Sequence, residues 1–286
     1  MISSHHKGIP ICAIDAFSAT PMGGNGATVV LLDHPASSIW MQALAAELAQ
    51  SETSFLWHNG GQWCLRWFTP TCEVSLCGHA TLAAGLALHK WGELAIAKPI
   101  DFQTRSGKIR VEVLTPELAS IDLPSEEMKE RQTENWMANL LGADPLATWS
   151  SQLGYGVILV NAEFPIASLN CNDLAWQNGP EKGWLVMQTA TQPYQYQLRF
   201  FAPNMGIKED PVTGSAHALV APWWCKKLSI NQVQGWQPSQ RPGGMFCEPI
   251  AAAKVRIKGN GVILWQGYLP WQSSAIEPDS WIFTSS

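Results

Sequence analysis

The chain contains the same phrase twice. Leu65-Arg66-Trp67-Phe68-Thr69-Pro70 returns as Leu198-Arg199-Phe200-Phe201-Ala202-Pro203, about half the chain further on. Each copy is soon followed by a glycine that opens an apolar run: Gly78-His79-Ala80-Thr81-Leu82-Ala83-Ala84 in the first and Gly214-Ser215-Ala216-His217-Ala218-Leu219-Val220-Ala221 in the second. Two copies are too few for a solenoid, where three or more units must stack to bury a core. The pattern predicts a duplicated half-domain. A helix that is apolar all round belongs inside something, and strands flank each run, so the simplest packing wraps a sheet around each helix. Two similar halves would leave a cleft, and both glycine-led helix starts are expected to face it.

Composition narrows the class. At 286 residues the chain is one large domain or two of ordinary size, and 46% apolar residues suffice for a buried core. A net charge of −5 and a pI near 5.8 carry no electrostatic footprint for nucleic acid. No apolar run reaches the ~18 residues of a membrane span, and Met1–Lys7 lacks the apolar stretch of a secretory signal. The seven cysteines, Cys12, Cys64, Cys72, Cys77, Cys171, Cys225 and Cys247, are odd in number and contain no Cys-x-x-Cys. They read as reduced thiols of a cytoplasmic protein. Cys72, Cys77 and His79 lack further ligands at a recognisable zinc spacing, so no metal is expected. Trp223-Trp224 are read as site lining or, more commonly for large aromatics, as core.

Strands are expected at Ile11–Phe17, Ala27–Leu32, Thr53–Trp57, Gln62–Phe68, Lys108–Leu114, Ala119–Leu123, Gly156–Asn161, Trp184–Gln188 and Tyr196–Phe201. Asn59-Gly60-Gly61 marks a hairpin turn. Gly259-Asn260-Gly261 is read as another, between Val255–Lys258 and Val262–Leu269. Ser37-Ser38 offers an N-cap for a helix through Gln50. A short helix over Glu134–Leu141 is closed by Gly142. Glu126–Gln132 reads as a charged crossover, and Gln232–Met245 as loop.

Three segments carry candidate chemistry. In Ser51-Glu52-Thr53-Ser54-Phe55 a carboxylate sits where a helix gives way to a strand. Burial there would raise its pKa toward neutrality, as a proton shuttle needs; from position alone an exposed loop glutamate is the commoner outcome. Cys77-Gly78-His79 opens an apolar helix, whose free N–H groups and positive dipole end suit a substrate carboxylate. His79 there is a donor or acid, or simply a cap. Glu209-Asp210-Pro211-Val212-Thr213-Gly214-Ser215 repeats the glycine-led start with two carboxylates upstream, which also fit plain capping of the helix dipole. The duplication favours function, since it puts the second and third segments at corresponding places.

In order along the chain, Asp15-Ala16-Phe17, Gly24-Asn25-Gly26, Ser51 to Phe55, Cys77 to Leu82 and Glu209 to Ala216 match the pattern of one family, with Gln234-Gly235 and Arg241-Pro242-Gly243 resembling its late loop. The chain resembles the PhzF-like family, named for a phenazine-biosynthesis isomerase and similar in fold to diaminopimelate epimerase. The resemblance implies an α+β fold of two pseudo-symmetric halves, each a curled, mostly antiparallel sheet around a central helix. Residues 1–115 would form the first half, with 271–286 returning to it, and 116–270 the second, with the active site in the cleft. It implies catalytic Glu52, His79 and Asp210, with Asn25, Ser51, Gly78, Gly214 and Ser215 binding substrate. It implies no cofactor and a homodimer. The family commonly has Pro where this chain has Gly26, and smaller helix formers in place of Pro222-Trp223-Trp224.

Cysteines separate two reactions. Epimerases of the related superfamily use two thiols, one before each glycine-led helix. Cys77 holds the first place; Thr213 holds the second. What remains is one carboxylate that lifts a proton and returns it elsewhere. The expectation is therefore a cofactor-independent cytoplasmic isomerase of a small carboxylate-bearing metabolite. The alternatives are an amino-acid racemase or epimerase, and a non-catalytic metabolite-binding or interaction protein of the same fold.

Overall fold

A computed structural model of the chain describes residues 8–270; the expected return of residues 271–286 lies outside the described residues. Two compact units are present. Among the described residues, one holds 8–21, 26–121 and 260–270, and the other 22–25 and 122–259. The sequence expectation counted 116–270 as one half. Residues 261–269 instead pair antiparallel with the strand Ile9–Ala16 of the first unit.

The first unit is built from β1 (Ile9–Ala16), β2 (Asn25–Leu31, whose first residue belongs to the second unit), helix α1 (Ser38–Leu48), β3 (Glu52–Asn59), β4 (Gln62–Phe68), β5 (Glu73–Val74), α2 (Gly78–Lys90), β6 (Ile100–Thr104), β7 (Gly107–Thr115) and β8 (Leu118–Pro124, which ends in the second unit). The second unit holds β9 (Lys129–Arg131), α3 (Asn135–Leu141), β10 (Ala147–Ser150), β11 (Tyr155–Leu159), β12 (Gly183–Thr189), β13 (Tyr196–Phe201), β14 (Glu209–Asp210), α4 (Gly214–Leu228), β15 (Val233–Gln237), β16 (Gly243–Ala251) and the start of β17 (Lys254–Leu269).

The repeated phrase marks a repeated register. In the first unit β2 runs parallel to β3, which pairs antiparallel with β4, placing Val30, Phe55 and Arg66 side by side. In the second, β11 runs parallel to β12, which pairs antiparallel with β13, placing Ile158, Val186 and Arg199 likewise. Just before each arginine, Trp63 faces Phe102 and Tyr196 faces Gly235, both in parallel pairs. Just after it, Phe68 faces Glu73 and Phe201 faces Glu209.

Each arginine is buried and gripped by the carboxylate of the facing two-residue strand. Arg66 reaches Glu73 at 2.8 and 2.8 Å, and Arg199 reaches Glu209 at 2.7 and 2.6 Å. Their guanidinium carbons also lie over Phe68 and Phe201, 5.2 and 4.9 Å from the ring centroids. Such planar, two-point pairing satisfies a buried charge that would otherwise be costly.

The central helices follow. Helix α2 is buried from His79 to Leu88 and packs against β1, β3 and β7. Its Gly85 admits Val111, whose Cγ1 would lie 2.5 Å from an added Cβ. Helix α4 packs against β15 and β16. Trp224 is core, stacked on Tyr196 at 5.4 Å, and Trp223 meets Trp149 edge-on at 5.3 Å. Separate cores lie under α1, where Met41 and Ala45 meet Phe55 and Trp57, and under α3, where Met137 and Leu141 meet Trp176 and Trp184.

Glycine accounts for both the correct turn and the wrong ones. Gly60 and Gly61 adopt φ of +55° and +90° between β3 and β4, as an Asn-Gly hairpin turn requires. Gly259-Asn260-Gly261 makes no hairpin: β17 runs straight through it. Gly261 is instead a close-approach position, where a Cβ would lie 2.5 Å from Leu86 of α2. The expected loop at Gln232–Met245 is largely β15 and the start of β16. Its Gly235 leaves room for Tyr196 and His217, each 2.5 Å from a hypothetical Cβ. The charged crossover contains β9, paired with β10.

Breaking one clamp strands a buried carboxylate, so Arg199→Ala should destabilise the protein by about 3–5 kcal/mol. It also removes donors from the Ile166, Ala167 and Leu169 carbonyls. Arg66→Ala should cost less, because Arg105 remains 2.8 Å from Glu73. Urea unfolding of the two variants checks both size and order; equal midpoints for Arg199→Ala and wild type would remove the clamp from the account.

Candidate active site

Glu52 is the first residue of β3, and its register partner Ala27 belongs to β2. Cys77 is the N-cap of α2, in extended conformation, and Gly78 and His79 are the first two helical residues. The Thr81 hydroxyl donates to the Cys77 carbonyl at 2.5 Å and ties down this turn. The helix therefore delivers a thiol and an imidazole to the place where the strand delivers a carboxylate. His79 Nε2 lies 3.0 Å from Glu52 Oε2, a charge contact without the alignment of a full hydrogen bond. The same nitrogen lies 3.2 Å from Ser51 Oγ. Because the Ser51 hydroxyl donates to the Gly26 carbonyl at 2.6 Å, its oxygen accepts from His79. Cys77 Sγ lies 3.5 Å from Nδ1.

The electrostatics differ from the sequence expectation. Burial pushes the Glu52 carboxyl up, but the charge of His79, with the Ser51 and Cys77 side chains close by, outweighs it, leaving the group below its ordinary value. For His79, burial favours the neutral ring; the charges of Cys77 and Glu52 beside it override this and raise it well above 6.5. Burial, with the Glu52 charge, drives the Cys77 thiol up to about 11. Cys77 is thus a neutral thiol at pH 7, and Glu52 is the partner whose charge holds the imidazole proton. The cluster is a carboxylate–imidazolium pair beside a thiol, at the dipole end of a buried helix.

The second unit holds another polar set. Asn25 Nδ2 donates to Asp210 Oδ1 at 2.7 Å and to the Val212 carbonyl at 3.1 Å. The Thr213 hydroxyl donates to Asp210 Oδ2 at 2.6 Å. Gln237 accepts from the Thr213 N–H at 3.0 Å and donates to the Asp210 carbonyl at 2.5 Å. Gly214 opens α4, and Ser215 Oγ stands 3.3 Å from the Tyr155 hydroxyl.

The shared register names the counterparts across the duplication. Gly78 and Gly214 each open a central helix, so Cys77 answers to Thr213 and His79 to Ser215. Counting back from the aligned Phe55 and Val186, Glu52 answers to Gly183, and its neighbour Ala27 to Tyr155. Gly183 has no room to be otherwise: a Cβ would stand 2.7 Å from Phe200. The carboxylate–imidazole pair belongs to one unit only.

Of the predicted residues, Glu52, His79, Ser51 and Gly78 come together in the first unit, and Asn25, Asp210, Gly214 and Ser215 lie in the second. Sequence reasoning missed Gln237, hidden in a span read as loop, and Tyr155, which only the strand register connects to Glu52. It also left the neutral Cys77 without a role beside His79.

The fold is thus a duplicated sheet whose first central helix opens on a carboxylate–imidazolium pair. The chain belongs to the phenazine biosynthesis-like protein family, PhzC-PhzF, which it matches over residues 14–267. It is 36% identical to an uncharacterised isomerase of Halalkalibacterium halodurans, over 91% of this chain and 98% of that one, and it is an enzyme of this isomerase family. Among solved structures, a phenazine biosynthesis PhzC/PhzF protein from Clostridium difficile superposes with a TM-score of 0.83 at 32% identity, over 91% and 99% of the two chains. A probable proline racemase from Agrobacterium radiobacter shares the fold at 11% identity, with a TM-score of 0.60 over 95% and 94%. The architecture is thus epimerase-like. Among the described residues no helix is long and apolar enough to cross a membrane.

The two pKa shifts set a pH window. His79, raised above 6.5, stabilises the fold fully below that value and loses its contribution as pH rises through the folded pKa. Glu52, lowered from 4.5, contributes above 4.5 and loses this as pH falls through its folded pKa. The pair is at full strength between those limits. NMR of the ring resonances should show His79 still protonated at pH 7 and deprotonating earlier in Glu52→Gln. His217, pushed down to about 3 by burial, should stay neutral from pH 5 to 8. A neutral His79 ring at pH 6 would remove the ion pair.

Proposed function

We propose that the protein is a cofactor-independent isomerase that moves a proton, and with it a double bond, on a small unsaturated carboxylate. The observation that carries this reading is the Glu52–His79 pair at the start of α2, with Gly183 and Ser215 at the equivalent places of the second unit. A racemase that works with two bases needs a second acid–base group; Gly183 and Thr213 hold the corresponding addresses.

In this reading the substrate carboxylate accepts N–H groups at the Gly78–His79 helix start. Glu52, ionised at neutral pH, takes the proton from a carbon activated by conjugation. The C–H bond breaks, an O–H bond forms, and the electron pair spreads into the conjugated system. The His79 imidazolium stabilises the charge that develops. Glu52 then returns its proton to the far carbon of the same system, and the double bond has moved. A carboxyl held below its ordinary value is a weak base in the free enzyme. A bound substrate anion and the loss of water both raise it, matching the base to its task only when substrate is present. Asp210, oriented by Asn25 and Thr213, and Gly214 with Ser215 serve as binding groups.

Small unsaturated carboxylic acids should be screened for deuterium uptake from D₂O with migration of the double bond. On the substrate so found, Glu52→Gln should lower kcat by roughly 10²-fold or more, the scale of a positioned acid–base group. Cys77→Ser should cost much less. Full turnover by Glu52→Gln rejects the assignment, and exchange with inversion at a saturated carbon, without double-bond movement, favours the racemase.

A further inference from the structure

We propose that Gln237 is the positioning residue of the second unit: it fixes the turn from Asp210 to Thr213, and through it the binding groups at the start of α4, without touching substrate. The brace itself stands on hydrogen bonds and strand register; only its effect on binding rests on the isomerase reading.

Gln237 is fully buried on β15, where Val233, Gly235 and Gln237 alternate with half-buried residues. Helix α4 packs against this strand. Gly235 makes room for His217, whose Nδ1 would lie 2.5 Å from a Cβ there and is held by the Tyr196 hydroxyl at 2.7 Å. Gln237, two residues further along the strand, meets Thr213, one turn earlier on the helix. Its amide uses both ends at once: Oε1 accepts the Thr213 N–H, and Nε2 donates to the Asp210 carbonyl. These backbone groups dictate which way the amide points, since an N–H needs an acceptor and a carbonyl a donor. They are the two ends of one turn, so Gln237 sets their separation and leaves the Asp210 carboxylate to Asn25 and the Thr213 hydroxyl. An N-cap threonine ordinarily accepts from the first helical turn. The Thr213 hydroxyl is engaged with Asp210 and makes no such cap. Gln237 supports the helix start from the sheet side instead.

The first unit shows that the fold alone does not demand this brace. By register Phe102 answers to Gly235, so Thr104 answers to Gln237. The Thr104 hydroxyl donates to the Gly107 carbonyl at 2.7 Å, within its own hairpin. The start of α2 is tied instead by Thr81, whose hydroxyl bonds back to the Cys77 carbonyl, and by Ser106, whose hydroxyl donates to the Ser75 carbonyl at 2.7 Å. Counting from the two helix-opening glycines, Thr81 answers to His217, whose ring is turned to Tyr196. What the second turn has and the first lacks is a charge: Asp210 stands where the first unit has Val74. An apolar residue there requires no aim, whereas a carboxylate that binds does. The brace occurs where the carboxylate occurs.

Gln237→Glu tests the brace because protonation switches it. As the acid it keeps an acceptor for the Thr213 N–H and an O–H donor for the Asp210 carbonyl; ionised, it offers acceptors alone. Burial raises such a carboxyl above its ordinary value of about 4.3. On the substrate found by deuterium exchange, Gln237→Met should raise KM at least about tenfold at every pH, with kcat within about threefold of wild type. Gln237→Glu should have a KM close to that of wild type at pH 5, and the ratio of the two should climb at least about tenfold by pH 8. A side chain that only fills space gives no such pH-dependent ratio. Without any substrate, the Thr213 amide resonance should shift over the same pH range in Gln237→Glu and stay fixed in wild type. A Gln237→Met KM within about twofold of wild type, or a Thr213 amide in Gln237→Glu that does not move with pH, overturns the proposal. A failed substrate screen leaves the amide measurement to decide the brace, and a motionless amide leaves the isomerase reading standing.

Discussion

Everything else in each unit depends on a buried guanidinium held at two points. A lone arginine at 3–4% exposure would be untenable. With Glu73 or Glu209 opposite, the same charge becomes a fastener that pins a two-residue strand to a long one. At the same short interval after each glutamate a glycine opens the central helix, Gly78 after Glu73 and Gly214 after Glu209. The clamp therefore fixes where the chain turns and where the helix begins. Apolar packing fills the space around α2 and α4, but it is non-directional and does not select a register. The charge pair does.

Once the frame is fixed, the two units are free to differ at the helix starts. In one, the strand end carries a carboxylate and the helix an imidazole. In the other, the same addresses hold Gly183, crowded by Phe200, and Ser215, reached by Tyr155. A charged pair requires mutual burial and a partner for each charge; a phenol and a hydroxyl require only a hydrogen bond. The duplication thus preserves the pairing, the clamp and the buried helix, while the polar residues at the two helix starts diverge. In the second unit Asn25 and Thr213 each donate to an oxygen of Asp210 and orient it.

How much of this was legible followed from how local the signal was. The Leu-Arg-aromatic-Phe phrase exposed the duplication because the clamp demands those residues at those places. Ser37 capped α1 and Gly142 closed α3, since caps are local chemistry. Gly261 and Gly235 misled because a glycine that makes room for Leu86 or Tyr196 is spelled like a glycine that turns the chain. Glu52 and His79 were named as candidates and lie together, yet the Glu52 shift runs opposite to the expected direction. Burial was foreseen, but the imidazolium 3.0 Å away was not, because that partner arrives on a different element, the start of α2.

The sign matters for what the site can do. A carboxyl raised by burial alone would stand half protonated near neutrality, poised as an acid and a base at once. Glu52 instead rests as an anion whose charge is answered by His79, and the answer comes from within a few ångströms, where solvent screens little. Such a pair is stable when nothing is bound and loses its balance when another anion approaches. In the isomerase proposed above, a substrate carboxylate at the helix start would compete for the same imidazolium, weaken its hold on Glu52 and raise the carboxyl toward the proton it would accept. On that proposal the resting ion pair would link base strength to occupancy, which a carboxyl tuned by burial alone would not.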